Sequence, residues 1–279
     1  MGTSTRNAGQ SGHTPLVPSW LDDDVVEEDA NQIDESEPID ENVDLIPSNA
    51  DEDRFRGPRS SLTRHMSGRS HSNASMKRAI SNYVRRTLGG SSRATKRLGA
   101  ARKSTARLYV VLSALPGSGA QGVADWLTLE HIEGLPAAQF FAKIATFVCP
   151  DGGTTDEGIA RHAYFEAILE DPQIADKPTG DLTEEECEFV LQSYMCHVIV
   201  GRIENDIATK AIVLPDDLRQ VSRIEGQIKQ LVSQGVSDAC VRKKRAHGGT
   251  LTDADAQMVT DEIYQLAFDI LGDEDGQHS

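Results

Sequence analysis

The 279-residue chain contains no run of about eighteen consecutive apolar residues, so no membrane-spanning helix is predicted. Its opening has no apolar core of the signal-peptide type, and the expected location is the cytoplasm. Cysteine is scarce: Cys149, Cys187, Cys196 and Cys240 are scattered, with no C-x-x-C pair. That pattern argues against a disulfide framework or a thiolate zinc site and predicts reduced, buried or half-buried thiols. Enzyme signatures are also missing. There is no G-x-S-x-G, no P-loop, no HExxH and no H-x-E…P-C-x-x-C. His162 and Glu166 stand one helical turn apart, but such a pair is read as a surface contact, so no metal, no cofactor and no catalytic residue is predicted. The stretch Gly117-Ser118-Gly119-Ala120-Gln121-Gly122 matches G-x-G-x-x-G, yet the residues after it are helical with a turn. No second strand follows to complete a dinucleotide-binding unit, and a helix-to-helix turn is the expectation.

Two absences of charge divide the chain. From Asn7 to Asp53 there are fifteen Asp/Glu and no Lys/Arg, whereas from Arg54 to Arg107 there are fifteen Lys/Arg and no Asp/Glu. From Leu108 onward twelve basic residues face twenty-nine acidic ones. The net charge of −16 therefore belongs to the C-terminal part. Such a chain does not seek nucleic acid as a whole, although its basic block could.

The remaining residues predict an all-α fold: a helical C-terminal domain preceded by a long disordered N-terminal region with an acidic and then a basic block. Residues 1–53 are poor in aromatic and β-branched side chains and cannot bury enough apolar area to offset ordering entropy. One island within residues 1–21 stands apart. Pro15 and Pro18 favour an extended backbone that would present Leu16, Val17, Trp20 and Leu21 as a linear docking motif. Residues 22–75 are expected to be a disordered linker. Its acidic run reads as a solvating spacer, the other reading being a partner for the basic block. Basic helices are expected over 76–115, broken at Gly89-Gly90. Arg78, Arg85, Arg86, Lys96 and Arg97 are the candidates there for contacts to nucleic acid or to an acidic partner, the plainer reading being a solvated face.

The helical core is expected over 116–272, with 273–279 an acidic tail. Its centre is the hairpin LPAAQFFAKIATFVCPDGGTTDEGIARHAYFEAILE, residues 135–170. Phe140, Phe141, Ile144, Phe147 and Val148 form one apolar stripe, and Pro150 to Gly153 stop that helix. Thr154 with Glu157 reads as a capping box for a second helix, which carries Ile159, Ala160, Ala163, Tyr164, Ala167 and Ile168 on one face. Further helices are expected from Thr183, capped with Glu186, from Pro215-Asp216, with Leu218, Val221, Ile224, Ile228, Leu231 and Val232 on one side, and from about Thr252. Lys243, Lys244 and Arg245 are read as a basic loop.

Three stretches carry a family likeness. The opening MGTS followed by GHTPLVPSWLDD, the acidic-then-basic low-complexity tract, and the hairpin EGLPAAQFF…HAYFEAI together resemble the QatB family of the Qat antiphage defence systems. The resemblance implies a non-catalytic defence subunit working beside an ATPase, a QueC-like enzyme and a TatD-like nuclease. It also implies attachment of a 7-deazaguanine to the N-terminal glycine, which here is Gly2. The opening departs from the family in lacking its common Tyr-Gly-Gly spacing. An α-amine with a pKa of about 8 is partly neutral at cellular pH and is a competent nucleophile toward an activated carboxylate.

Overall fold

The computed structural model describes residues 73–130, 132, 134–209, 217–244 and 253–273. No strand occurs among the described residues, and one isolated antiparallel bridge joins Pro136 and Pro178. The all-α class holds.

Helix α1 (Asn73–Asn82) runs into a π-helical turn at Tyr83–Thr87. Met76, Ala79, Ile80, Tyr83 and Val84 recur at intervals of three and four and are buried, so this basic segment docks through an apolar stripe. The Leu88 N–H donates to the Tyr83 carbonyl at 3.0 Å, and the Gly90 N–H to that of Val84 at 3.0 Å. Gly89 and Gly90, at φ 82° and 93°, then break the run as expected. After α2 (Ser91–Lys96) comes the long α3 (Ala100–Trp126), bent where Gly119 takes φ 69° and ψ 173°. The G-x-G-x-x-G stretch is thus a joint between two helical segments, with no strand before it.

Helices α4 (Ala137–Val148) and α5 (Thr155–Leu169) form the expected hairpin. The Glu157 N–H donates to Thr154 Oγ1 at 3.3 Å, and the Thr154 N–H to Glu157 Oε2 at 3.0 Å, completing the capping box. Tyr164 is fully buried and donates its hydroxyl to the Phe141 carbonyl at 2.8 Å, locking the two helices together. Phe147 departs from expectation and is 37% exposed. It lies roughly a quarter-turn from the centre of the stripe that Phe140, Phe141, Ile144 and Val148 bury.

A short α6 (Pro172–Ala175) and a 3-10 turn (Thr179–Asp181) lead to α7 (Glu184–Thr209), α8 (Leu218–Lys244) and α9 (Asp253–Gly272). The expected box at the head of α7 forms, with Glu186 N–H donating to Thr183 Oγ1 at 3.2 Å and Thr183 N–H to Glu186 Oε2 at 2.8 Å. Pro215 and Asp216 lie outside the described residues; Asp217 caps α8 by accepting the Arg219 N–H at 3.0 Å. Leu218, expected on the buried face, is 80% exposed, because it sits at the first turn before the helix meets its neighbours. Lys243 and Lys244 belong to α8 rather than to a loop, and Lys243 pairs with Glu262 of α9.

Helix α3 packs on α4, α5, α7 and α9; α7 packs on α5 and α8; α9 packs on α1, α2 and α8. One contiguous apolar cluster runs from Met76 to Leu271. The expected boundary between residues 115 and 116 falls inside α3.

Candidate functional site

The named docking residues Pro15, Leu16, Val17, Pro18, Trp20 and Leu21, together with Gly2, lie outside the described residues. The basic candidates lie within them. Arg78 on α1, Arg85 and Arg86 on the π turn, and Lys96 at the end of α2 are exposed. The three-to-four-residue repeat that buries Ile80, Tyr83 and Val84 leaves Arg78, Arg85 and Arg86 away from that buried stripe, while Lys96 belongs to the next helix. Arg97 is different. It is half-buried, its Nη1 is 3.5 Å from the Thr87 carbonyl, and its own carbonyl accepts from Arg202 at 3.3 Å. Arg85 also lines a groove of about 810 Å³ with Lys77 and Arg242, faced by Asp238, Asp269 and Asp273.

Nucleophile chemistry finds little support in the thiols. All four cysteines are free. Burial pushes the Cys187 thiol up to about 11, and those of Cys196 and Cys240 up to about 12. Each therefore stays protonated near neutral pH, where the thiolate is the reactive form. Cys196 and His197 are sequence neighbours but not a dyad. Cys196 Sγ faces the Lys229 carbonyl at 3.8 Å, whereas His197 Nε2 lies 2.6 Å from Glu170 Oε2. Glu170 also meets Lys229 Nζ at 2.7 Å. Burial works against its charged form, yet the bonds from Lys229 and His197 outweigh this and hold its carboxyl below the usual range. His162 and Glu166 are exposed, and no group of three metal-ligating side chains occurs among the described residues.

Sequence reading missed a second cavity, of about 500 Å³, at the head of α3. Arg102, Lys103, Ser104 and Arg107 line one side, Cys149 and Pro150 the end of α4, and Glu157 and Ala160 the start of α5. A run of cations spaced by one and four residues was visible at 102–107, but nothing in the sequence said which loop would face it.

A family model described as "Qat anti-phage system associated protein QatB" matches residues 89–271. The chain belongs to the QatB family. It is accordingly a component of a Qat antiphage system. The QatB match begins at the Gly89-Gly90 break and ends in the last turn of α9, so it takes in both the hairpin and the cavity at the head of α3. No curated protein and no solved structure matches the chain. No helix among the described residues is long and apolar enough to cross a membrane.

Proposed function

We propose that this QatB-family chain is a non-catalytic subunit of the defence system that binds a QueC-like partner enzyme and is modified by it at Gly2. The family match carries the reading. The MGTS opening supports it, since a small second residue permits removal of Met1 and leaves a free α-amine on Gly2. Leu16, Val17, Pro18 and Trp20 would anchor the leader on the enzyme, with Pro15 and Leu21 flanking them. The high-lying cysteine thiols and the separation of Cys196 from His197 agree with a role other than covalent catalysis.

The test is the intact mass of the N-terminal peptide, taken from protein produced with and without the QueC-like enzyme. An added mass on Gly2 that depends on the enzyme is expected; an unmodified Gly2 in both preparations rejects the modification. Replacing Gly2 by Leu, which retains the methionine, should abolish protection against phage while leaving the helical signal unchanged. An ATPase and a TatD-like nuclease would be the remaining partners.

A second reading rests on the exposed cations Arg78, Arg85, Arg86 and Lys96, which make no ion pair among the described residues. These would contact phosphates of nucleic acid, with Arg97 at the rim. Binding should then weaken steeply as salt rises. A mobility shift that is absent even at low salt removes this reading.

A further inference from the structure

The cavity at the head of α3 inverts the charge balance of its surroundings. From Leu108 onward carboxylates outnumber cations, and several cations among the described residues are paired: Arg161 with Asp151, Lys177 with Glu186, Arg202 with Asp156 and Lys229 with Glu170. Among the described residues that line this cavity, Arg102, Lys103 and Arg107 outnumber the one carboxylate, Glu157, which stays charged but is turned toward Thr154. Glu157 accepts the backbone N–H of Thr154 at 3.0 Å and its hydroxyl at 2.8 Å. Asp261 is held by Arg102, whose Nε donates to it at 2.7 Å. Lys103 and Arg107 are left without an ion-pair partner among the described residues.

We propose that this cavity binds a small phosphate-bearing molecule of about nucleotide size, with Lys103 and Arg107 meeting the phosphate. A guanidinium presents a planar fork that matches two phosphate oxygens, and an ammonium adds a point charge beside it. Arg102 stands at the same wall but is paired through Nε with Asp261, so the uncompensated charge there is that of Lys103 and Arg107. The volume of about 500 Å³ falls in the range of small-molecule sites and exceeds what a bare phosphate fills. Ala100, Pro150, Cys149 and Ala160 give the rest of the ligand an apolar wall. The recess sits where three helices meet, which suits the end of a phosphate ester better than a continuous nucleic-acid backbone. The residues that carry this proposal all lie after Gly99, so its test is separate from that of the Gly2 reading.

The experiment is thermal melting and calorimetric titration of the full chain with ATP and with inorganic pyrophosphate at low salt. A saturable rise in melting temperature is expected with both probes, ATP giving the larger rise. Lys103 is exposed, so Lys103→Gln keeps the fold; it should weaken binding about tenfold, as loss of a charged hydrogen bond does. Arg107→Gln should do the same or more, and Arg107→Lys should recover part of the loss. Arg223→Gln, exposed on α8 and outside the cavity, should bind like the unaltered protein. No stabilisation by either probe at millimolar concentration overturns the proposal, and so does an equal response in Lys103→Gln and the unaltered protein. Single-stranded DNA that binds more tightly than ATP and loses affinity in Lys103→Gln would replace the small ligand by a polymer and overturn it likewise.

Discussion

Buried polar side chains hold this helical core in register, and each sits where its loss can be read. Tyr83, 2% exposed, donates its hydroxyl to Asp206 Oδ2 at 2.7 Å. Burial first, and then the Asp206 charge, push the phenol well above its ordinary range, so it remains a donor at any physiological pH. Tyr83→Phe should lower stability by about 1.5–3 kcal/mol in urea unfolding, because the bond is to a charged acceptor that stays buried. Glu170 supplies a pH signature. Its folded-state pKa is depressed, so its contribution is present above the unfolded value of about 4.3 and is lost as pH falls through the folded value. Glu170→Gln should therefore melt below the unaltered protein at pH 7, and the gap should close in acid. A gap that persists undiminished to pH 3 would refute this account. The carboxylate is partly solvated, so the effect on each side of that window is expected to be modest.

At the scale of elements, the capping boxes and glycine joints were legible because their signals are local. Thr154 and Glu157 are three residues apart, and Thr154→Ala should remove about 1 kcal/mol by urea titration. Gly119 adopts a dihedral pair that side chains avoid, with nothing within 4 Å of where a Cβ would stand. Gly119→Ala should thus cost about 1–3 kcal/mol through backbone strain alone, and an unchanged midpoint would show that α3 can straighten there. The π turn was not legible. Met76, Ile80, Tyr83, Val84 and Leu88 keep an ordinary helical repeat across it, and only the backbone bond from Leu88 to Tyr83 reveals the wider loop. The cavity at the head of α3 escaped for a different reason. Its cations at 102–107 meet Cys149 and Glu157 across some fifty residues of chain, a juxtaposition set by packing rather than by spacing. Phe147 and Leu218 show the limit of counting apolar residues: hydrophobicity nominates a face, and the position of the neighbouring helix decides its width.

For the molecule as a whole, one apolar cluster links helices that the sequence divides into a basic segment and an acidic one. Opposite charge blocks can share a core because the stripe on α1 and the π turn is apolar, while Arg78, Arg85 and Arg86 are exposed. Within the described residues, secondary structure and tertiary packing should be lost together, with far- and near-ultraviolet circular dichroism giving the same urea midpoint. Two separated midpoints would mark the basic helices as an independent unit. Arg202 then has a kinetic consequence. Its Nη1 donates to Asp156 at 2.7 Å and to the Arg97 carbonyl at 3.3 Å, and its Nε lies 3.6 Å from Asp206. Those groups come from the end of α2, the first turn of α5 and the last turn of α7, so the knot can close only after all three have docked. Closure belongs on the native side of the folding barrier. Arg202→Met should accordingly quicken unfolding in a stopped-flow chevron while leaving the refolding limb in place, making this arginine a latch on the lifetime of the fold rather than a guide to reaching it.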